Sequence, residues 1–594
     1  MKKNHIEWSI KFYLLMVFVL FGVMQACTEF PSVGNDFLEK PPSQDVTIDT
    51  IFNHADFAER FLWNTYRSLP YGPGSVDGPY DSDKLGMAML ACLTDINQSY
   101  ISTSAANKFY YTGTYGADIE EKNSGSVKYN FKNSGAWAGI RNAYIFINNV
   151  DRVPDMTTED KKRLKAEARM IIAVHYVDLF RNYGGMIWVN HAYDPNEDFH
   201  LSRLTAKATL DSTVAVIDKA IPDLPFSLEN PETEAGRFTQ AAAMGLKARL
   251  LLFAASPLFN ASQPYLEGEA ADTKLVWYGG YDPGLWQQAA DAAKALIDKV
   301  EQSGSYYLLN TGNPRQDFQD AYYDRNSPEV LISTRVRYKT SGDGYYFYDL
   351  EERGAGPVTD NYVRMFPMEN GKPITDPTSG YDPQNPYQNR DPRLYETVLV
   401  NGDIYQSRTA ETWIGGRERP SKSSQGIATG YRIRKFVLDG IESRGTTAHW
   451  PMLRLPEIYL SYAEALNEIN GGPTAQAYDY VNKVRNRVNL GNLPGGLSQE
   501  EFREAVLRER VLELGFEEVR WYDLIRWKKE EDFQKKLYGM DISKNGEGLF
   551  AYEQFELPAR NWQDSWSPKW YLSALPLDEI LKDYGLVQNP GWEM

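Results

Sequence analysis

Apolar residues recur every three or four positions through three consecutive segments in the last third of the chain. The first is RLPEIYLSYAEALNEING at 454–471, the second follows Pro473, and the third runs from Ser498 to Gly515. This spacing places the apolar side chains on one face of an α-helix, and Ser498 followed by Glu501 is typical of a capping box. A helix, a short turn and a second helix form the unit of tetratricopeptide-like arrays.

The same periodicity appears earlier in the chain, at 158–180, 210–224, 239–253 and 285–300. No strict repeat of roughly 34 residues is present, so the array is inferred from helix pairing alone. We therefore predict a mainly α fold in which tetratricopeptide-like helix pairs form a scaffold.

Three long stretches, 97–134, 310–362 and 370–444, do not have a helical pattern. They are rich in Gly, Asp, Tyr and other polar residues, with short apolar pieces such as EVLIST. Loops of this length are uncommon unless they carry function or structure of their own. We predict that these loop-rich insertions, with short strands, carry the ligand site.

The N-terminus has the pattern of a secretory signal. Two lysines precede an apolar run at 12–23, which is too short to span a bilayer, and Cys27 follows. This predicts a lipoprotein signal peptide at 1–26, a lipid on Cys27, a tether at 27–50 and a single body at 51–594. An ordinary cleaved signal with a chance cysteine is the alternative. Cys92 is the only other cysteine, so the fold must stand without a disulfide.

Charge and motif content exclude several classes of function. The formal net charge of −17 is a poor match for phosphate backbones, so nucleic acid is not expected as a partner. The six histidines show no metal-ligand spacing, and no nucleophile elbow or phosphate-binding loop is present. We predict no catalytic residues, metal or cofactor, although spacing alone leaves a carboxylate pair for glycoside hydrolysis open.

The densest charged motif is LRERVLELGFEEVRWYDLIRWKK, beginning at Leu507. One interpretation takes Glu509, Arg510 and Glu513 as an acid–base set. The other is a helix joined to its neighbours by Arg–carboxylate pairs. Because the charges lie along helix faces, we favour the second interpretation.

These segments resemble the SusD/RagB family. Its C-terminal hallmarks are matched by RLPEIYLSYAEALNEING, YVNKVRNRVNL, LRERVLELGFEEVRWYDLIRW and YLSALPLDEILKDYGLVQNPGW. Earlier landmarks are matched by FLEKPP after Cys27, WAGIRNAYIFINNV at 137–150, ARMIIAVHYVDLFRNYGGM at 168–186 and GRFTQAAAMGLKARLLLFAASPLFN at 236–260. The resemblance divides the body into an N-terminal SusD-like part at about 51–260 and a C-terminal SusD/RagB part at about 285–594.

The resemblance implies an outer-membrane lipoprotein that faces the outside of the cell and is lipid-anchored through Cys27. Such proteins partner a SusC-like TonB-dependent transporter and deliver glycans, or in some branches peptides, without cleaving them. Three alternatives stay open: a peptide-binding RagB-like lipoprotein, a surface glycoside hydrolase, and a structural lipoprotein that touches no substrate.

Sugar recognition needs flat aromatic faces together with polar groups for the hydroxyls. Two loop clusters offer both, and we predict that they converge on one exposed platform. The predicted ligand-binding residues are Asp95, Asn97, Tyr100, Tyr110, Tyr111, Tyr115, Tyr338, Tyr345, Tyr346 and Tyr348. For each tyrosine the alternative is packing under a loop or contact with the transporter.

Overall fold

Helices make up most of the regular structure in the computed structural model of the chain. It describes residues 47–70, 72, 85, 88–122, 127–129, 131–132, 135–194, 196–197, 200–337, 350–437 and 447–593. The helices of the first half are α1 (Ile48–Ile51), α2 (Ala55–Tyr66), α3 (Ala117–Lys122), α4 (Ala136–Asn149), α5 (Thr158–Tyr183), α6 (Ala206–Ala220), α7 (Pro231–Glu234), α8 (Gln240–Ala255), α9 (Glu269–Asp272) and α10 (Gly284–Ser303).

Ten further helices lie among the described residues of the second half: α11 (Pro314–Tyr323), α12 (Asp360–Met365), α13 (Pro392–Thr397), α14 (Leu455–Asn470), α15 (Ala475–Arg487), α16 (Gln499–Leu514), α17 (Val519–Arg526), α18 (Glu530–Gln534), α19 (Asn561–Ser565) and α20 (Leu577–Leu581). The chain divides into two compact units, Met1–Asn53 and His54–Met594; α1 belongs to the first and the other described helices to the second. None of the described helices is both long and apolar enough to cross a membrane.

Side-chain caps mark the start of several of the long helices. Thr157 and Thr239 each accept a hydrogen bond from the backbone N–H three residues on, at the starts of α5 and α8. The predicted capping box of α16 is confirmed, because Ser498 Oγ accepts from the N–H of Glu501 and the Glu501 carboxylate accepts from the N–H of Ser498. At its other end α14 stops at Gly471, whose φ of 64° favours glycine.

Successive helices pack against one another in an array. The contacts run from α4 to α5, α5 to α6, α6 to α8, α8 to α10 and α10 to α14, which also contacts α15 and α16. The α8 sequence QAAAMGLKARLLLFAA is apolar on almost every face and is buried along most of its length, as a central helix must be. The predicted scaffold of paired helices is confirmed.

The strands of the described residues form four two-stranded antiparallel ladders. They pair β1 (Val330–Arg337) with β6 (Thr447–Arg454), β2 (Val398–Leu399) with β5 (Arg432–Ile433), β3 (Ile404–Tyr405) with β4 (Arg408–Thr409), and β7 (Tyr538–Lys544) with β8 (Phe550–Glu556). The apolar piece EVLIST falls mostly within β1, as the short-strand prediction expected.

The interpretation of the long insertions as wholly non-helical is wrong in several places. They contain α3, α11, α13 and the first residues of α12, together with a π-helical turn at Ala106–Tyr110. Local caps explain two of these: Asn313 and Asp391 each accept a backbone N–H, and a proline follows each at the first helical position. Helices this short carry too few turns for their apolar periodicity to be recognised.

Candidate functional site

The polar residues of the first predicted ligand cluster lie in the interior. Asp95 is 2 % exposed, and its carboxylate accepts two hydrogen bonds from Arg520, at 3.0 and 2.7 Å. Burial alone would raise the pKa of Asp95, but the Arg520 guanidinium outweighs burial and holds the pKa below its ordinary value. Asn97 is fully buried and donates to the Pro357 carbonyl at 2.6 Å.

Three of the four tyrosines in this cluster are buried as well. Tyr111 donates to the Cys92 carbonyl at 2.7 Å, while the rings of Tyr110 and Tyr115 stack at 4.7 Å. Tyr100 is half-buried. The buried side chains therefore pack beneath the loop, which is the alternative that the sequence left open. Their contact with a ligand stays a prediction.

The second predicted cluster, which comprises Tyr338, Tyr345, Tyr346 and Tyr348, lies outside the described residues, as does the lipidation site Cys27. The convergence of the two clusters on one platform stays a prediction. Among the described residues, no group of three or more His, Cys, Asp and Glu side chains could hold a metal ion.

The charged motif of α16 forms what we call the ionic core. Its members are buried side chains that pair with opposite charges: Glu329, Asp391, Arg393, Lys435, Arg454, Arg487, Glu509, Glu513 and Glu517. Arg454 contacts three carboxylates, those of Glu329 at 3.1 Å, Glu513 at 3.0 Å and Glu517 at 2.7 Å. The interpretation of this motif as a helix joined to its neighbours is confirmed. Glu509 and Glu513 are 1 % and 0 % exposed, so a substrate cannot reach the alternative acid–base set.

An open cleft of about 820 Å³ lies elsewhere, and we call it the aromatic cleft. Aromatic side chains line much of it: Phe131, Trp137, His191, Tyr193 and Tyr584. Four apolar side chains also line it: Ile187, Val189, Leu201 and Leu586. Its volume and its mixture of apolar walls with a few polar groups are typical of small-ligand sites.

Two helices and one extended segment position these side chains. Trp137 and Arg141 lie one turn apart on α4, and the indole N–H of Trp137 donates to the Phe131 carbonyl at 2.9 Å. The extended segment 187–194 follows α5, where the Tyr176 hydroxyl accepts from the N–H of Val189 at 2.7 Å.

Close packing fixes where that extended segment leaves α5. A Cβ atom added at Gly185 would lie 2.1 Å from the Leu204 carbonyl oxygen, so only glycine allows this approach. The cleft wall is consequently held by backbone packing on one side and by the Tyr176 hydroxyl on the other.

The charges around the aromatic cleft are almost balanced. Lys132 pairs with Asp578, and Lys582 pairs with Glu579 at 2.7 Å. His191 lies 2.7 Å from Glu197 and stacks on the Tyr193 ring at 4.1 Å. The cleft therefore presents no strong excess of either charge to a ligand.

Several polar groups of the cleft remain available among the described residues. The Arg141 guanidinium and the hydroxyls of Tyr193 and Tyr584 have no hydrogen-bond or ion-pair partner among the described residues. Flat rings beside unpaired donors and acceptors suit a ligand that has C–H faces and many hydroxyls. The arrangement can bind such a ligand by stacking and hydrogen bonding.

Sequence reasoning missed these residues. Trp137 and Arg141 had a local signal, because a tryptophan and an arginine four apart on one helix face form a candidate contact surface. Tyr193 and Tyr584 had none, since they are far apart in sequence and meet only in the fold.

Comparisons with known proteins agree with this architecture. Residues 333–592 match the SusD family, and residues 82–252 match a family described as "Starch-binding associating with outer membrane". A SusD-like protein of Formosa agariphila is 47 % identical over 545 residues, which cover 87 % of this chain and 90 % of that relative.

Two solved structures from Bacteroides fragilis NCTC 9343 share the fold. A SusD-like protein superposes with a TM-score of 0.71 at 20 % identity, covering 93 % of this chain and 100 % of the other. A protein described as a SusD-like carbohydrate binding protein gives 0.67 at 20 % identity, covering 90 % and 99 %.

Proposed function

The chain belongs to the SusD family, and on that premise we propose that it is a cell-surface lipoprotein that binds an oligosaccharide or polysaccharide and delivers it to a SusC-like TonB-dependent transporter. The matched description of starch binding at the outer membrane supports this proposal, as does the fold shared with a protein described as carbohydrate binding. The protein holds its ligand without cleaving it.

One observation carries the proposal to this chain: the aromatic cleft combines stacking faces with unpaired polar groups. Trp137 and Tyr193 offer faces to the C–H side of sugar rings, and Arg141 donates to ring hydroxyls. The nearly balanced charges favour neutral sugars over polyanions. Tyr100, Tyr338, Tyr345, Tyr346 and Tyr348 stay part of the proposal as additional ligand contacts, and Cys27 as the lipid anchor.

A matched pair of tryptophans tests the cleft. Trp137 and Trp277 are both half-buried, and each donates its indole N–H at 2.9 Å to the carbonyl six residues earlier. A glycan array on the mature protein selects the ligand, and calorimetry then compares the variants. Trp137→Ala should weaken binding about tenfold through lost stacking, and Trp277→Ala should leave the affinity unchanged.

The same experiment separates binding from hydrolysis. New reducing ends after incubation with the selected glycan would contradict the proposal, and so would an array without any bound glycan. Equal affinities of the wild type and Trp137→Ala would place the glycan outside the aromatic cleft. Delivery is tested by co-purification of the lipidated protein with its transporter. The Cys27→Ala variant should lack the lipid and should therefore be released from the membrane.

A further inference from the structure

A second pocket, of about 340 Å³, lies between the end of α2, the turn after α7, and strand β1; we call it the strand pocket. Trp63, Tyr66 and Arg67 form one wall, and Ser333 and Thr334 form another. It shares no lining residue with the aromatic cleft.

On one side of the strand pocket, the charged groups around Arg237 are neutralised and held in place by ion pairs. Arg237 donates to Glu167 at 2.7 Å and to Glu234 at 2.9 Å, and its guanidinium lies 5.0 Å from the centre of the Trp63 ring. Arg163 also binds Glu234, at 2.7 Å. Because two arginines face two carboxylates, this part of the rim offers a ligand a rigid and electrically balanced surface.

The opposite wall carries hydroxyls that lack partners. Ser333 and Thr334 are 7 % and 5 % exposed, and neither hydroxyl has a hydrogen-bond partner among the described residues. Within the part of the chain that the structure describes, the side chain of Arg67 makes one long hydrogen bond, to Asn64 at 3.4 Å. A buried hydroxyl without a partner costs stability, so its retention beside an open pocket points to a ligand.

The chemistry of the pocket defines that ligand. Hydroxyls that both donate and accept lie next to the weakly bonded Arg67 guanidinium and the apolar surfaces of Trp63 and Leu69. Together they complement a compact molecule that has several hydroxyls and one apolar face. The volume lies near the lower limit for ligand pockets, well below that of the aromatic cleft. A neutral sugar ring has these properties.

We propose that the strand pocket binds one neutral sugar ring, as a second contact for the glycan that the chain captures. This inference rests on the proposed function for its ligand class, but it concerns other residues. Trp63 and Leu69 supply the apolar contact, while Arg67, Ser333 and Thr334 bind the ring hydroxyls.

Replacing Thr334 by valine distinguishes a ligand contact from a structural defect. Thr334→Val removes an unpaired hydroxyl while keeping the shape of the side chain, so the melting temperature should stay the same or rise. The affinity for the sugar should nevertheless fall roughly two- to tenfold. Thr213 is the matched control, because it is buried in α6 and its hydroxyl donates to the Thr209 carbonyl at 2.8 Å. Thr213→Val should lower the melting temperature and leave the affinity unchanged.

The probes are the methyl glycosides of glucose, galactose, mannose and xylose, titrated by NMR against the mature protein. Binding of at least one probe that is weakened by Thr334→Val and unaffected by Thr213→Val supports the inference. It is overturned if no probe binds, or if Thr334→Val leaves the affinity of every bound probe unchanged. Glycan-array binding in either case would leave the proposed function standing, which keeps the two failures distinguishable.

Discussion

The ionic core and the aromatic cleft both contain arginine and carboxylate side chains, and they differ in how completely those side chains are paired. In the ionic core, Arg454 contacts three carboxylates and is fully buried. In the aromatic cleft, Arg141 is exposed and has no partner among the described residues. The hydrogen-bond donors of Arg454 are used within the fold, whereas those of Arg141 are available to a ligand.

A dense charged motif in the sequence therefore does not show that its side chains are available to a ligand. The ionic core includes the densest charged motif of the sequence, yet its charges hold α13, α15 and α16 to one another and to β6. The residues of the aromatic cleft come from separate parts of the chain and carry few charges. Unpaired groups beside an open volume, rather than charge density, indicate a ligand site.

Removal of Arg454 should give the largest effect on stability. Arg454→Ala leaves Glu329, Glu513 and Glu517 buried near one another with less compensation, and breaking a buried pair in this way costs about 3–5 kcal/mol. Urea unfolding followed by circular dichroism measures the free energy of unfolding. Arg60 is exposed and forms no ion pair with another described residue, so Arg60→Ala should change the free energy by less than about 0.5 kcal/mol. Equal losses of unfolding free energy in the two variants would mean that the buried ion pairs of Arg454 stabilise the fold no more than an exposed arginine does.

Acid should weaken the buried ion pairs next. Burial raises the pKa of Glu513, Glu457 and Asp523, but their arginine partners outweigh burial and bring each pKa below its ordinary value. A group with a lowered folded-state pKa contributes stability that is fully present above its unfolded pKa, about 4, and is lost as the pH falls through the folded-state pKa. Glu329 acts in the opposite direction, because burial raises its pKa and protonation relieves it.

The expected balance is a loss of about 1–3 kcal/mol of unfolding free energy between about pH 5 and pH 3, with little change between about pH 6 and pH 8. Urea titrations at each pH check this expectation. Stability that stays constant down to about pH 3 would mean that the carboxylates of the ionic core and its neighbours gain nothing from their arginines.

Local signals in the sequence were enough to predict the scaffold. The start of α16 depends on Ser498 and Glu501, which are three residues apart, and the helical array follows from the spacing of neighbouring apolar side chains. The burial of Asp95 and Tyr111 could not be predicted in this way. Their partners include Arg520 and Arg560, which the fold brings from the other end of the chain.

The same limit applies to the candidate site. A tyrosine in a polar loop has the composition of a ligand contact whether its ring is exposed or stacked on another ring, as Tyr115 is on Tyr110. Tyr584 lies near the C-terminus and reaches the aromatic cleft only through the packing of the C-terminal segment. The exposure of a side chain depends on long-range packing, which cannot be determined directly from a single sequence.

The smallest stability effect is expected at Arg141, where the effect on binding should be clear. Arg141→Ala removes a side chain that has no partner among the described residues, so the free energy of unfolding should change by less than about 0.5 kcal/mol. The affinity for the glycan selected on the array should fall roughly two- to tenfold through lost hydrogen bonds. Because this ligand is neutral, the affinity of the wild type should change little between low and high salt. A steep salt dependence would instead identify an anionic glycan, and Arg141 would then bind its charge rather than its hydroxyls.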